Sequence, residues 1–213
     1  MRIVIDIDNT IVDYRQAVIS SVIRNQKHEF LKSGLTTKDS IISIKNFVKR
    51  NYGDDFWQLI QSEIYATKKN INFYFGVNKV IKDLAINHEI FLVSHKTKYG
   101  LKKAKDINIL KISTQRIFKW IVDQHLCESI KSVIYCESFD EKIKMINLIN
   151  PHIIIDDLDK VHLELKKSKE TKSKKHHILF KGSSFMENIV ENNEIITVNN
   201  WMQISQYLDE NNE

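Results

Sequence analysis

The feature that most constrains this chain is where its first carboxylates fall. Arg2 to Ile5 read Arg-Ile-Val-Ile, and Asp6-Ile7-Asp8-Asn9-Thr10 follow at once. A short β-branched apolar run without period-2 alternation predicts a parallel strand buried on both faces. In an open α/β sheet the ligand crevice lies outside the carboxyl ends of the strands. Such a strand therefore delivers its aspartates to a site. Asp6 and Asp8, two residues apart, fall on the same side of an extended chain. Like charges that close raise each other's proton affinity unless a cation lies between them. Mg²⁺, hard and oxygen-seeking, is the natural neutraliser. Read alone, the pair could equally be two solvated carboxylates capping the next helix.

The rest of the chain alternates helical and strand signals. Helical spacing runs from Val12 to Leu31 and again from Lys38 to Lys49. After a break at Asn51-Tyr52-Gly53, Asp54 caps a third helix bearing Phe56, Trp57, Ile60, Ile64 and Tyr65. A βαβ connection commonly takes about 10 to 15 residues, and this stretch is far longer, so an inserted group of helices is expected. Downstream, strands are predicted at Glu89–Val93, Ser132–Cys136, His152–Ile155, His177–Phe180 and Ile195–Val198. Helices are predicted at Val77–Asn87, Tyr99–Asp106, Thr114–Leu126 and Glu141–Ile149, the last capped by Asp140, with a final helix capped by Asn200. This alternation implies an α/β fold, a doubly wound parallel sheet with right-handed crossovers.

Composition excludes several classes. No apolar run reaches the 18 residues of a membrane span. The chain starts directly on a strand, leaving no room for a secretory leader. Cys127 and Cys136 lack metal-ligand spacing and read as reduced thiols of a cytoplasmic protein. The net charge of +5 is concentrated in one place. Val161 to Lys175 holds six lysines (166, 167, 169, 172, 174, 175) against Glu164 and Glu170, leaving the remainder near neutral. A single basic stretch reads as a solvated loop; a nucleic-acid face needs wider spread.

Asp6-x-Asp8-x-Thr10 after an N-terminal strand resembles motif I of the haloacid dehalogenase (HAD) superfamily of phosphohydrolases. The motifs that family carries further on follow in order: Glu89-Ile90-Phe91-Leu92-Val93-Ser94, then Glu141-Lys142, then Ile153-Ile154-Ile155-Asp156-Asp157. The resemblance implies a HAD-like Rossmannoid core at 1–12 and 76–213, with a helical cap at 13–75. It implies Asp6 as nucleophile, forming an aspartyl-phosphate, and Asp8 as general acid and base. The presence of Asp8 speaks against the dehalogenase branch. Mg²⁺ is expected on Asp6, on the Asp8 carbonyl and on one of Asp156 and Asp157, the order of that pair remaining open. Ser94, Lys142, Thr10 and His95 are the expected substrate contacts, with Lys144 an alternative to Lys142.

The expected function is Mg²⁺-dependent hydrolysis of a small phosphorylated metabolite; within that class the resemblance leaves nucleotides, sugar phosphates and phosphoglycolate-like acids open. Alternatives are end-processing of nucleic acid through the basic loop, a mutase, and a non-catalytic domain that keeps the metal site.

Overall fold

The computed structural model describes residues 1–25, 27–66, 71–99, 106–167, 176–182, 189–192 and 194–211. The first half of the chain runs β1 (Arg2–Ile5), β2 (Val12–Asp13), α1 (Arg15–Asn25), α2 (Lys27–Lys32), α3 (Ile41–Ala66), β3 (Asn72–Phe73), α4 (Val77–Ala85) and β4 (Glu89–His95). The second runs α5 (Ile109–Asp123), β5 (Ile130–Cys136), α6 (Phe139–Ile149), β6 (Ile153–Asp156), α7 (Asp159–Lys167), β7 (His176–Phe180), β8 (Val190–Asn192), β9 (Ile195–Val198) and α8 (Trp201–Glu210).

Among the described residues the main sheet has the order β5-β4-β1-β6-β7-β9-β8. All its pairings are parallel except β8–β9. The hydrophobic run at the N-terminus therefore becomes the central strand, as its lack of alternation requires. Ile3 and Ile5 face one apolar layer and Val4 the other. Apolar side chains of α4, α5 and α8 pack the first layer, and those of α6 and α7 the second. The chain winds outward from β1 in both directions, through β4 to β5 and through β6 to β7 and β9. This doubly wound α/β architecture places a topological switch point at the carboxyl end of β1.

Several element boundaries differ from the sequence expectation, each for a local reason. Val12 does not open a helix: with Asp13 it pairs antiparallel to Asn72 and Phe73. Asp13 then starts α1, accepting from the Arg15 backbone N–H at 3.0 Å. Its carboxylate also grips the Arg15 guanidinium at 2.8 and 2.7 Å. Ser138, rather than Asp140, caps α6, accepting from the Glu141 N–H at 3.1 Å. α5 begins at Ile109 behind an Asn108 cap, five residues before Thr114. Most of the helix expected at Tyr99–Asp106 lies outside the described residues. The antiparallel edge strand β8 carried no alternation strong enough to be read.

The long α3 is two helical halves joined at Gly53, whose backbone sits at φ 84°, ψ 171°. That region is open to glycine and strained for other residues, at a cost of ~1–3 kcal/mol. No heavy atom lies within 4 Å of where a Cβ would stand, so backbone strain is the whole penalty. Gly53→Ala is therefore expected to lower stability by ~1–3 kcal/mol, read as a shift in a denaturant unfolding midpoint at unchanged slope.

Candidate active site

Register brings the separated motifs together. Ile5 pairs with Leu92 on one side and Ile155 on the other. One step further, Asp6 stands beside Asp156, and its backbone N–H donates to the Ile155 carbonyl at 2.9 Å. Neighbouring strands lie about 4.8 Å apart, so these carboxylates share one rim. Beyond Asp8 the chain turns back through Asn9, at φ 58°, a left-handed conformation that Asn tolerates better than most residues. The turn is held by Asn9 N–H to the Val12 carbonyl and Val12 N–H to the Ile7 carbonyl, both 2.9 Å.

Lys142 reaches the rim from the first turn of α6. Ser138-Phe139-Asp140-Glu141 is a Ser-x-x-Glu start, with the Glu141 carboxylate reaching back to the Glu137 N–H at 2.8 Å. This fixes where the helix begins and which way Lys142 points. Its ammonium lies 2.6 Å from Asp6 Oδ1 and 2.6 Å from Asp156 Oδ2. Lys142 is only 2% exposed, whereas Lys144 is exposed. The other Asp156 oxygen accepts from the Leu158 N–H at 3.0 Å. Both Asp156 oxygens are thus engaged. Asp157, 5% exposed, has neither hydrogen bond nor ion pair among the described residues and lines the adjoining cavity.

Asp8 is held differently. Tyr14 donates to its Oδ1 at 3.2 Å, and Lys96 pairs with its Oδ2 and also bonds the Tyr65 hydroxyl. The Lys96 ammonium lies 4.9 Å from the centre of the Tyr65 ring. Lys96 is buried, although a lysine just past a strand ordinarily extends into water. The signal was available: Ser94 and Lys96 share a side of β4's end by the same period-2 argument that aligned Asp6 with Asp8.

The remaining candidates divide. Ser94 is buried near the end of β4, one residue past the position beside Asp6. His95 is exposed and turned to the Glu137 carbonyl at 3.2 Å, away from the cavity-lining residues. Thr10 is fully buried, its hydroxyl without a partner among the described residues, while its carbonyl accepts from Trp201 Nε1 at 2.9 Å. Of the basic stretch, Lys166 pairs with Glu194 at 3.0 Å and Lys167 with Glu164 at 2.9 Å. Residues 168–175 lie outside the described residues.

The electrostatics follow from burial. Desolvation pushes Asp6 up, the Lys142 ammonium pulls it down, and the Asp156 and Asp8 charges push it up again, to about 7. Desolvation, then the charges of Asp6 and Asp156, raises Asp157 well above the usual carboxylate value. Lys142 is desolvated too, but Asp156 and Asp6 outweigh that and raise it above the ordinary ammonium range.

Solved structures share this arrangement of elements. No protein-family model matches the sequence, and no curated protein matches it. A haloacid dehalogenase-like hydrolase from Streptococcus pneumoniae aligns over 97% of both chains with a TM-score of 0.55 at 11% identity. One from Xanthomonas campestris aligns over 99% of this chain and 96% of its own, with a TM-score of 0.54 at 11% identity. YfnB from Bacillus subtilis, described as a HAD-hydrolase and solved bound to magnesium, aligns over 98% of each chain with a TM-score of 0.51 at 12% identity. The chain has the HAD-hydrolase fold.

HAD hydrolases are associated with Mg²⁺, so the residues here can be tested for fit. Three buried carboxylates (Asp6, Asp156, Asp157) face one ammonium (Lys142), a surplus of two negative charges, while Asp8 and Lys96 cancel. A divalent cation matches that surplus. Asp6 and Asp157 supply hard carboxylate oxygens. Asp8, its side chain committed to Lys96 and Tyr14, offers its main-chain carbonyl, and Asp156, fully engaged, would orient Lys142. No group of three His, Cys, Asp or Glu side chains stands ready as a metal cluster among the described residues; three of the four aspartates, Asp6, Asp8 and Asp156, are paired with lysines. The donor set nevertheless fits the ion.

Raised carboxylates make a stability prediction with a definite sign. Asp157 favours its protonated form in the fold, so the cost of ionising it grows as pH rises above the ordinary value of 3.8. Without divalent ions, Asp157→Asn should melt higher than the wild type, with the gap widening as pH rises from 4 toward 8. Millimolar Mg²⁺ should raise the melting temperature of the wild type at pH 8 and leave Asp157→Asn nearly unmoved. A differential scanning measurement reads both.

Proposed function

We propose that this chain is a Mg²⁺-dependent phosphomonoester hydrolase working through an aspartyl-phosphate on Asp6. The observation that carries the reading is the buried triad Asp6–Lys142–Asp156 beside Asp157, which has no partner among the described residues, at the switch point of a HAD-type sheet. An Asp6 oxygen attacks phosphorus and the bond to the leaving oxygen breaks as Asp8, protonated in the substrate complex, gives that oxygen its proton; the ion pair with Lys96 belongs to the ionised form that follows. Asp8 then takes a proton from water, which attacks the phosphorus and frees Asp6 and inorganic phosphate. Lys142 holds Asp6 in place and sets positive charge against the transferring phosphoryl oxygens. Ser94 offers its hydroxyl to one of those oxygens. Lys96 and Tyr14 fix the direction of the Asp8 carboxylate, so that its second-step role needs no rearrangement. A bound Mg²⁺ supplies charge neutralisation between the nucleophile and the phosphate dianion.

The helical excursion 13–75 is proposed as the cap over this site: Tyr14 just before α1, Val18 of α1, and Lys45, Trp57, Gln61 and Tyr65 of α3 line the cavity that Asp8 and Asp157 also line. A cap there excludes water and selects the leaving group. Free thiols at Cys127 and Cys136 suit the reducing cytoplasm, and no helix among the described residues is long and apolar enough to cross a membrane.

Asp6→Asn tests the reading. It should cut turnover of an aryl phosphate at least about a thousandfold, as loss of a covalent nucleophile does, while the far-ultraviolet circular dichroism stays native. Excess EDTA should silence the wild type, and Mg²⁺ should restore it. Undiminished turnover in the variant or in EDTA would contradict the mechanism.

A further inference from the structure

The cavity above the carboxylates is small and asymmetric. Its volume is about 130 Å³. Its floor is Asp8, Asn9, Asp157 and Leu158, and its walls come from the helical excursion. Val18, Ile41, Ile42 and Ile64 make the apolar part of those walls. Lys45 is the one cation among the lining residues.

Lys45 stands one helical turn beyond Ile41 on the first half of α3, and Trp57 lies on the second half. The kink at Gly53 folds the halves so that the Lys45 ammonium lies 5.9 Å from the centre of the Trp57 ring. Lys45 is half-buried and has no carboxylate at ion-pair distance among the described residues. Its neighbour Lys49 is paired with Asp54 at 2.6 Å, which removes that aspartate as a close partner. Burial and the Lys49 charge disfavour the Lys45 ammonium, while Asp157 and Asp54 act on it as more distant favourable charges. An ammonium held in a partly desolvated, apolar-walled space without a counter-ion is a receptor for an anion. A ring face beside it can pack the carbon skeleton that carries the anion.

We propose that Lys45 is the subsite for a second negative charge on the leaving group, so that the preferred substrate is a compact phosphomonoester that also carries a carboxylate or comparable anion. The proposal rests on the phosphomonoesterase reading above and narrows it. Neutral sugar phosphates leave Lys45 unmatched.

Binding of non-hydrolysable phosphonates separates this subsite from the chemistry. With Mg²⁺ present, isothermal calorimetry should show phosphonoacetate binding the full-length wild type at least tenfold more tightly than its neutral isostere phosphonoacetamide. Lys45→Met should bring that ratio to about one, and Lys45→Arg should keep most of it. Equal affinities in the wild type, or a preference that survives Lys45→Met, would overturn the proposal. So would an equal weakening of both ligands by Lys45→Met, which would place the lysine on the phosphoryl group itself. If the preference holds while no phosphomonoester is turned over, the subsite stands and the hydrolase reading fails.

Discussion

The structure depends on one ammonium. Lys142 lies against two carboxylates delivered by two different parallel strands, Asp6 after β1 and Asp156 at the end of β6. Taking three such charges out of water costs several kcal/mol per ion before their attraction is counted. The arrangement is tolerable because Lys142 serves both acids at once and the Leu158 N–H satisfies the remaining Asp156 oxygen. Removing one partner from such a buried pair typically costs ~3–5 kcal/mol. The sheet register, the start of α6 and the turn at Leu158 are thereby tied to one another.

The walls of the cavity have a different physical origin. The walls come from a helical excursion that leaves and rejoins the sheet through the β2–β3 pair, where Asp13, Arg15 and the Tyr74 ring pack together. Gly53 lets a single long helical stretch double its use, presenting Ile41, Ile42 and Lys45 from one half and Trp57, Gln61, Ile64 and Tyr65 from the other. Tyr65 also bonds Lys96, which pairs with Asp8. The excursion therefore reaches Asp8 twice, directly through Tyr14 and indirectly through Tyr65 and Lys96.

Much of this was legible in the amino-acid order. The unalternated run before Asp6 announced a central parallel strand, and the order of the strand-end Ser94, Lys142 and Asp156-Asp157 announced a shared rim. Local chemistry that depends on pairing was harder to see. Val12 reads as helical until Phe73, sixty residues on, becomes its partner, and Ser138 is overlooked as a cap because Asp140 is equally good at one. That Asp156 rather than Asp157 pairs with Lys142 depends on where Lys142 and the Leu158 N–H point. Lys96 was hidden because a lysine after a strand is ordinarily solvated, although its alternation with Ser94 marked its side. Lys45 carried no signal at all, since its meaning comes only from the cavity around it.

The central claim, that four distant segments converge on Asp6 to receive a phosphoryl group, is tested most directly by a crystal structure of the wild type with Mg²⁺ and beryllium trifluoride. The account predicts the trifluoride on an Asp6 oxygen, with Lys142 and Ser94 against its fluorines and the ion bonded to Asp6, Asp157 and the Asp8 carbonyl. Trifluoride bound elsewhere, or an ion that bypasses Asp157, would contradict it.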